Sequence, residues 1–405
     1  MTKKILLLAL AVCMWAGTAF AGGFQLSEYS VTNQGRAFAG SGVAGDDYSA
    51  IASNPAGMTL KGSGVQLGSH LIHLHSKARG YLKTDAGDMT YPPGKLSEAV
   101  AIPFGFAQAA WEDWRFGFGV YVPYGMVTEY NEDWFGSIHA LTSRVATTDF
   151  TPSVAYKLTD SFSLGASLVV RYFDAELSND VVRGGMIRSD MRADGVNLGY
   201  KLGLMYEPVK DTRFGLSYHS KITSRIHGSH TLSGINARGY ACTSLTLPEH
   251  VQLAAFHRLT DKIDLSANVR WTHWSRFKTL DIFSDIASVE PVQERWKNTW
   301  TVAAGLDYHW TDAFTLRGGV SWDQAGVPDS GHRTARVPDS NRILASIGMS
   351  YVWGNWQFDA AYTHMFAKCA TASHSMTSSI YGNTEMHASY HGDYNIFGLQ
   401  VQYSF

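Results

Sequence analysis

Residues 197–206 read NLGYKLGLMY. Leu198, Tyr200, Leu202, Leu204 and Tyr206 share one parity, and Asn197, Gly199, Lys201, Gly203 and Met205 share the other. Successive side chains of a strand point to opposite faces, so this segment reads as a strand with one greasy face and one polar or small face. The pattern recurs. Ile263, Leu265, Ala267, Val269 and Trp271 oppose Asp264, Ser266, Asn268 and Arg270, and Trp300, Val302, Ala304, Leu306, Tyr308 and Trp310 oppose Thr301, Ala303, Gly305, Asp307 and His309. Phe314, Leu316, Val320 and Trp322 oppose Thr315, Arg317, Ser321 and Asp323. A soluble sandwich also alternates. Here the greasy faces end in Trp or Tyr, as an interfacial aromatic girdle requires, and the other faces mix charge with Gly and Ser, as a filled or wet lumen would.

Composition narrows the class. Aromatics make up 13% of the 405 residues, charged residues only 17%, and the net charge is −2. Soluble domains carry roughly a quarter charged residues. Yet mean hydropathy is −0.12, and after the N-terminus no apolar run reaches the roughly 18 residues of a membrane helix. No basic excess exists to neutralise phosphates, so nucleic acid is excluded as a partner. A transmembrane β-barrel fits, because only alternate residues need be apolar. The N-terminus supplies Lys3-Lys4, an apolar run from Ile5 to Trp15, and Ala19-Phe20-Ala21. These are the parts of a secretory signal peptide, 1–21, cleaved near Ala21. Cys242 and Cys369 remain after cleavage. A disulfide between them and a pair of free thiols are equally compatible with the sequence.

KLTDSFSLGA from Lys157, RLTDKIDLSA from Arg258 and HWTDAFTLRG from His309 each read as a strand end, a tight turn and a new strand. Glu112-Asp113, 208–211 and Gly354-Asn355 are further short turns. Longer polar connections are expected at 77–96, 178–194, 227–243, 324–341 and 369–393. Short turns at one end and long loops at the other describe an antiparallel barrel of about 14 strands in the bacterial outer membrane. Phe397, Leu399, Val401, Tyr403 and Phe405 share a face of the last strand. An aromatic C-terminus at Phe405 resembles the signal read by barrel-assembly machinery.

Residues 22–61 precede the first strand, and the barrel is expected over 62–405. GDDYSAIASNPAGMTL, from Gly45 to Leu60, shows neither helical nor strand period. A barrel of this size leaves a lumen too wide for its own side chains to fill. Phe24, Leu26, Tyr29, Phe38, Tyr48, Ile51 and Met58 are more apolar anchors than a disordered tail carries. The segment therefore reads as a compact plug without much regular structure. The run GGFQLSEYSVTNQGRAFAGSGVAGDDYSAIASNPAGM resembles the hatch of the FadL family of outer-membrane transporters of long-chain fatty acids and other hydrophobic compounds. VPYGMVTEYNEDWFG, LPEHVQLAAFHR, RWTHWSRF and RVPDSNRILASIGMSY are similar to further segments of that family.

The resemblance implies passive uptake through a hatch-plugged barrel, acting as a monomer, with ligand leaving sideways into the membrane at a kink in the third strand. In WRFGFGVYVPYGMV the residues expected to form that kink are Pro123, which cannot donate to a ladder, and Gly125, which weakens pairing. Movement around Asn54, Pro55 and Ala56 is expected to couple pocket occupancy to opening. Inward-facing Arg171, Lys201, Arg258, Lys297 and Arg317 could each hold a fatty carboxylate or pair with lumen acids such as Asp264, Asp307, Asp323 and Asp359. Lys297 leads, because RWKNTW resembles a family segment with a pocket lysine; Arg171 and Arg317 follow. Val122 and Leu177 stand where fatty-acid members place polar partners, which keeps an importer of aromatic hydrocarbons as the alternative. A general diffusion porin is a further rival, and it would lack such a hatch. A surface adhesin or phage-receptor role is open to any such barrel. No G-x-S-x-G supports an esterase, no cofactor motif occurs, and the loop histidines His227, His230, His374, His387 and His391 form no metal-ligand spacing. The expectation is a transporter that needs neither enzyme chemistry nor metal.

Overall fold

The structure is a computed structural model and describes residues 23–85, 87–90 and 92–405. The expected leader, 1–21, lies outside the described residues. In chain order the strands are β1 (Gly64–Thr84), β2 (Gly94–Trp111), β3 (Trp114–Tyr121), β4 (Gly125–Glu129), β5 (Thr142–Lys157), β6 (Phe162–Val182) and β7 (Ile187–Val209). They continue with β8 (Thr212–His219), β9 (Ile222–Ser233), β10 (Ala237–Leu247), β11 (His250–Thr260), β12 (Ile263–Thr272), β13 (Thr279–Leu280), β14 (Ile282–Ser284) and β15 (Val292–Gln293). The last are β16 (Thr299–His309), β17 (Phe314–Asp323), β18 (Arg342–Trp353), β19 (Trp356–Ala367), β20 (Ala370–Ser378) and β21 (Gly382–Ser404). They form a closed antiparallel barrel of 14 strands. The ring runs β1, β2, β3 with β4, β5 to β8, β11, β12, β16 to β19 and β21, and β21 pairs with β1 from Gly64↔Ser404 to Thr84↔Thr384. Closure leaves no outer edge to the sheet except along one stretch of β2, and lipid demands such pairing of a spanning structure.

The short turns fall where the sequence places them, at one end, together with Gly64 and Phe405. That end is the periplasmic one by the layout of such barrels. Greasy residues such as Leu67, Phe116, Leu164, Leu198, Leu202 and Val302 face outward and are exposed. Near the turns they give way to aromatic pairs, Trp114–Tyr156 and Phe162–Tyr206 at 4.5 Å and Trp356–Tyr403 at 4.7 Å between ring centroids. No helix among the described residues is long and apolar enough to cross a membrane.

The long connections differ from expectation. β1 and β2 continue through most of 77–96, β6 and β7 close a hairpin within 178–194, and β9–β10 and β20–β21 form hairpins over 227–243 and 369–393. Above the membrane neither face of a strand meets lipid, so alternation fades while the backbone ladder continues. Only 324–341 stays irregular throughout. Cys242 and Cys369 are free thiols.

Residues 23–61 fill the lumen. They hold α1 (Val31–Gly35), α2 (Ala50–Ser53) and a 3-10 turn over Pro55–Leu60, slightly more regular than expected, and polar side chains cap the first and the last of these. Ser30 Oγ accepts from Asn33 N–H at 2.9 Å, and Asn54 Oδ1 accepts from Ala56 N–H at 3.1 Å. Small inward residues make room for this plug. Gly165 and Gly203 are cross-strand partners. A Cβ at Gly203 would stand 2.0 Å from Asn54 Oδ1, and one at Gly165 2.3 Å from Ala56 N. Asn54, Pro55 and Ala56 therefore sit in a socket that only glycine leaves open. At the periplasmic end Arg36 pairs with Asp46 at 2.7 Å and Asp307 at 2.6 Å, and Arg317 reaches the same two acids at 3.3 and 3.4 Å. Buried charges need such mutual compensation. Gly203→Val should push Asn54-Pro55-Ala56 out of the socket and open the lumen. In a planar bilayer the variant is expected to give stable conductance steps that the native chain lacks, and identical traces would show that the socket does not hold the plug.

Candidate lateral gate and ligand pocket

β2 pairs with β3 only from Gly105↔Val120 to Trp111↔Trp114. The chain then breaks at Val122, Pro123 and Tyr124, and resumes with Gly125 as β4, which pairs with β5. Residues 94–104 of β2 thus have β1 on one side and no strand on the other. Pro123 carries no N–H, so a ladder through it is not available.

The hatch bonds to the broken segment itself. Gln25 forms an antiparallel bridge with Tyr124. Leu26 N–H donates to Pro123 O at 2.8 Å, and Gly125 N–H donates to Phe24 O at 2.9 Å. Leu26 packs with Val100, Ile102 and Val122 behind the break. Phe24 enters an aromatic cage, with ring centroids 5.0 Å from Trp274, 5.7 Å from Trp296, 6.1 Å from Tyr124 and 6.3 Å from Phe277. Met126, Val145 and Phe173 of the barrel strands and Ile226, Leu245 and Leu247 of the β9–β10 hairpin continue the apolar wall. The cage tryptophans belong to the external segment 273–298, where the chain has left the alternating pattern.

Below the cage the lumen turns polar. One cavity of about 20 Å³ lies behind the break, with Gln25, Tyr121, Pro123, Tyr124 and Lys201 in its wall. A second, of about 40 Å³, is bounded by Glu28, Phe38, Asn268 and Arg270. Tyr29, His219 and His250 border both.

The structure separates the expected carboxylate ligands. Arg171 lies below Tyr124, 4.8 Å from its ring, but its Nε and Nη2 donate to the two oxygens of Asp149 at 2.6 and 2.8 Å. Arg317 is in the periplasmic ion network, away from the cage. Lys297 corrects the strand assignment: β16 begins at Thr299, so Lys297 lies in the preceding loop, its N–H on Gly326 O at 2.8 Å and its side chain exposed. Parity alone extended the strand too far. Arg258 pairs with Asp264 at 3.0 Å near the periplasmic rim. Phe24, Trp274 and Trp296 were not singled out as pocket residues; the signal available was tryptophans in RWTHWSRF and RWKNTW outside any strand.

The sequence profile of the outer membrane protein transport protein family (OMPP1/FadL/TodX) matches residues 12–405. The chain belongs to that family. It is 27% identical to outer membrane protein P1 of Haemophilus influenzae over 98% of each chain. It is 26% identical to the long-chain fatty acid transport protein of Salmonella typhi over 85% of this chain and 87% of that one. A crystal structure of a Pseudomonas aeruginosa FadL homologue superposes with a TM-score of 0.88 at 25% identity, covering 95% of this chain and 100% of the homologue. The toluene transporter TbuX of Ralstonia pickettii shares the fold, with a TM-score of 0.68 at 18% identity over 92% of this chain and 100% of TbuX. The protein is accordingly an outer-membrane transporter of the FadL family, and its family handles hydrophobic small molecules.

One group in the external wall of the cage titrates in a useful range. Burial pushes the Glu294 carboxyl up to about 7, against the opposing effects of the Trp296 indole N–H and the Arg336 charge. Trp296 Nε1 donates to Glu294 Oε2 at 2.8 Å. A raised carboxyl pKa means that the folded loop binds the proton more tightly than the unfolded chain. That contribution is full below about 4.5 and is lost as pH rises through about 7. Hydrogen-exchange protection over 273–298, corrected for intrinsic rate, should fall between pH 5 and pH 8 in the native chain and stay level in Glu294→Gln. An equal fall in both would remove Glu294 as the cause.

Proposed function

We propose that the protein carries long-chain fatty acids, or molecules of similar hydrophobic character, passively across the outer membrane and releases them sideways between β2 and β4. The observation that supports this route is the unpaired stretch 94–104 of β2, with the hatch residues Phe24 to Leu26 bonded across the break. In this reading a cargo chain competes with Phe24 for the aromatic cage. Displacing Phe24 pulls on Leu26 and Gln25, and so loosens the bridge to Pro123, Tyr124 and Gly125.

A straight route to the periplasm runs against the charge layer of Arg36, Asp46, Asp307 and Arg317, and then into water. Each methylene kept in an apolar phase is worth about 0.8 kcal/mol, so a long chain favours the membrane by a wide margin. The aromatic-hydrocarbon reading draws on the cage itself, whose four rings suit a flat apolar guest as well as a chain. The porin reading fits poorly with a lumen whose plug is buried from Phe24 to Met58.

Gln25 and Tyr124 face each other across a narrow antiparallel pair, the geometry in which two cysteines reach each other. Cells expressing Gln25→Cys/Tyr124→Cys should take up labelled oleate at background level when oxidised and at the native rate after reduction. Native uptake in the oxidised state would exclude movement of the hatch terminus from the transport cycle.

A further inference from the structure

We propose that Lys201 is a latch that reads the carboxylate of an acidic cargo and ties the hatch to the broken strand; this rests on the transport reading above. Lys201 points inward from β7, opposite His219 of β8. Its Nζ donates to the Ala52 carbonyl at 2.9 Å and to the Tyr121 phenol oxygen, and it stands 4.5 Å from the Tyr121 ring centroid. Ala52 lies in α2, just ahead of Asn54-Pro55-Ala56. Tyr121 is the last residue of β3 before the break. His219 Nε2 lies 2.8 Å from the Ser53 carbonyl oxygen and secures the neighbouring residue of α2. One ammonium therefore joins the hatch to the edge of the gap.

The partners of this ammonium are neutral. Lys201 is 3% exposed, and no carboxylate among the described residues lies within ion-pairing distance of it. Arg36, Arg171, Arg317 and Arg342 in the same lumen each sit against at least one acid. Asp149, which lines the same small cavity, is engaged on both oxygens by Arg171. Arg270, across His219 and His250, meets the Ser27 and Thr301 hydroxyls and touches neither the hatch helix nor β3. A buried cation without an anion is unfavourable, and a hydrogen bond between ions is roughly twice as strong as one to a neutral acceptor.

The small cavity beside Lys201 adjoins Pro123 and Tyr124. A carboxylate arriving there would take Nζ from both neutral oxygens at once. The end of α2 and the end of β3 would lose their common tie in the same step. A neutral cargo of equal length offers no anion and leaves the tie intact. Lys201 thus acts as a specificity-determining residue that favours acids over alcohols and hydrocarbons; it is one of the five inward basic residues of the sequence pattern, though not the one that led it.

The test is displacement of the neutral fluorophore N-phenyl-1-naphthylamine from the mature chain refolded in detergent, by oleate and by oleyl alcohol. Native protein should prefer oleate. Lys201→Met should weaken oleate at least tenfold and leave oleyl alcohol within twofold, which also shows that the variant is folded. Lys201→Arg should keep the preference. Unchanged oleate binding in Lys201→Met, or an equal loss of both ligands, would overturn the proposal. A measurement on the native chain covers the case in which Lys201→Met does not fold. At equal occupancy, oleate should raise hydrogen exchange over 50–57 and oleyl alcohol should not; equal effects would overturn the latch. Failure of either ligand to bind the native chain would instead remove the transport reading, and the latch with it.

Discussion

Lipid cannot hydrogen-bond, and every other feature of this molecule answers to that fact. A spanning strand must find all its backbone partners in neighbouring strands. The wall obeys this around the ring, from β1 through β21 and back, except where β2 stands beside the break between β3 and β4. Pro123 makes the exception by withholding an N–H. On the other lip of the break the hatch supplies Leu26 N–H to Pro123 O and Phe24 O to Gly125 N–H. In the proposed route the plug is therefore part of the wall as well as a stopper in the lumen. Any event that moves residues 24–26 leaves the wall open at that point.

The same constraint inverts the usual distribution of side chains. Leucines, phenylalanines and valines face out, and the interior collects Arg, Asp, Gln and Ser with the plug among them. Such an interior is held by pairing rather than by apolar contact. Arg36 and Arg317 share Asp46 and Asp307, and Arg171 is clasped by Asp149. These ions give the lower lumen a rigidity that apolar cargo has no means to disturb. Above them lie Phe24 and its aromatic cage, held by apolar and aromatic contacts. The molecule thus divides into a charged floor and an apolar top, with the break in the wall beside the boundary.

The barrel was legible because parity is a strong signal in segments such as NLGYKLGLMY, and the tight turns around Asp160, Asp261 and Asp312 carry their own chemistry. The break at Pro123 was legible for a similar reason: a proline withholds an N–H in a way that a sequence displays, whereas the glycine socket around Asn54-Pro55-Ala56 is formed by strands far away in the chain. The external hairpins were not, since β9, β10 and β20 meet lipid on neither face and show no alternation. Lys297 misled because parity says nothing about where a strand ends, and the ladder stops at Thr299. The cage was invisible for a different reason. Phe24, Trp274 and Trp296 lie about 250 residues apart in two irregular segments, and only the closed barrel brings them together.

The central claim is that cargo leaves between β2 and β4. A fatty acid carrying a photoreactive diazirine in mid-chain, added to cells and illuminated during uptake, would mark its path on the protein. The account predicts labels at Val100, Ile102 and Val122, on the lips of the gap. Labels concentrated instead on Leu60, Arg213 and Phe256, at the periplasmic mouth, would contradict it and show that cargo runs down through the hatch.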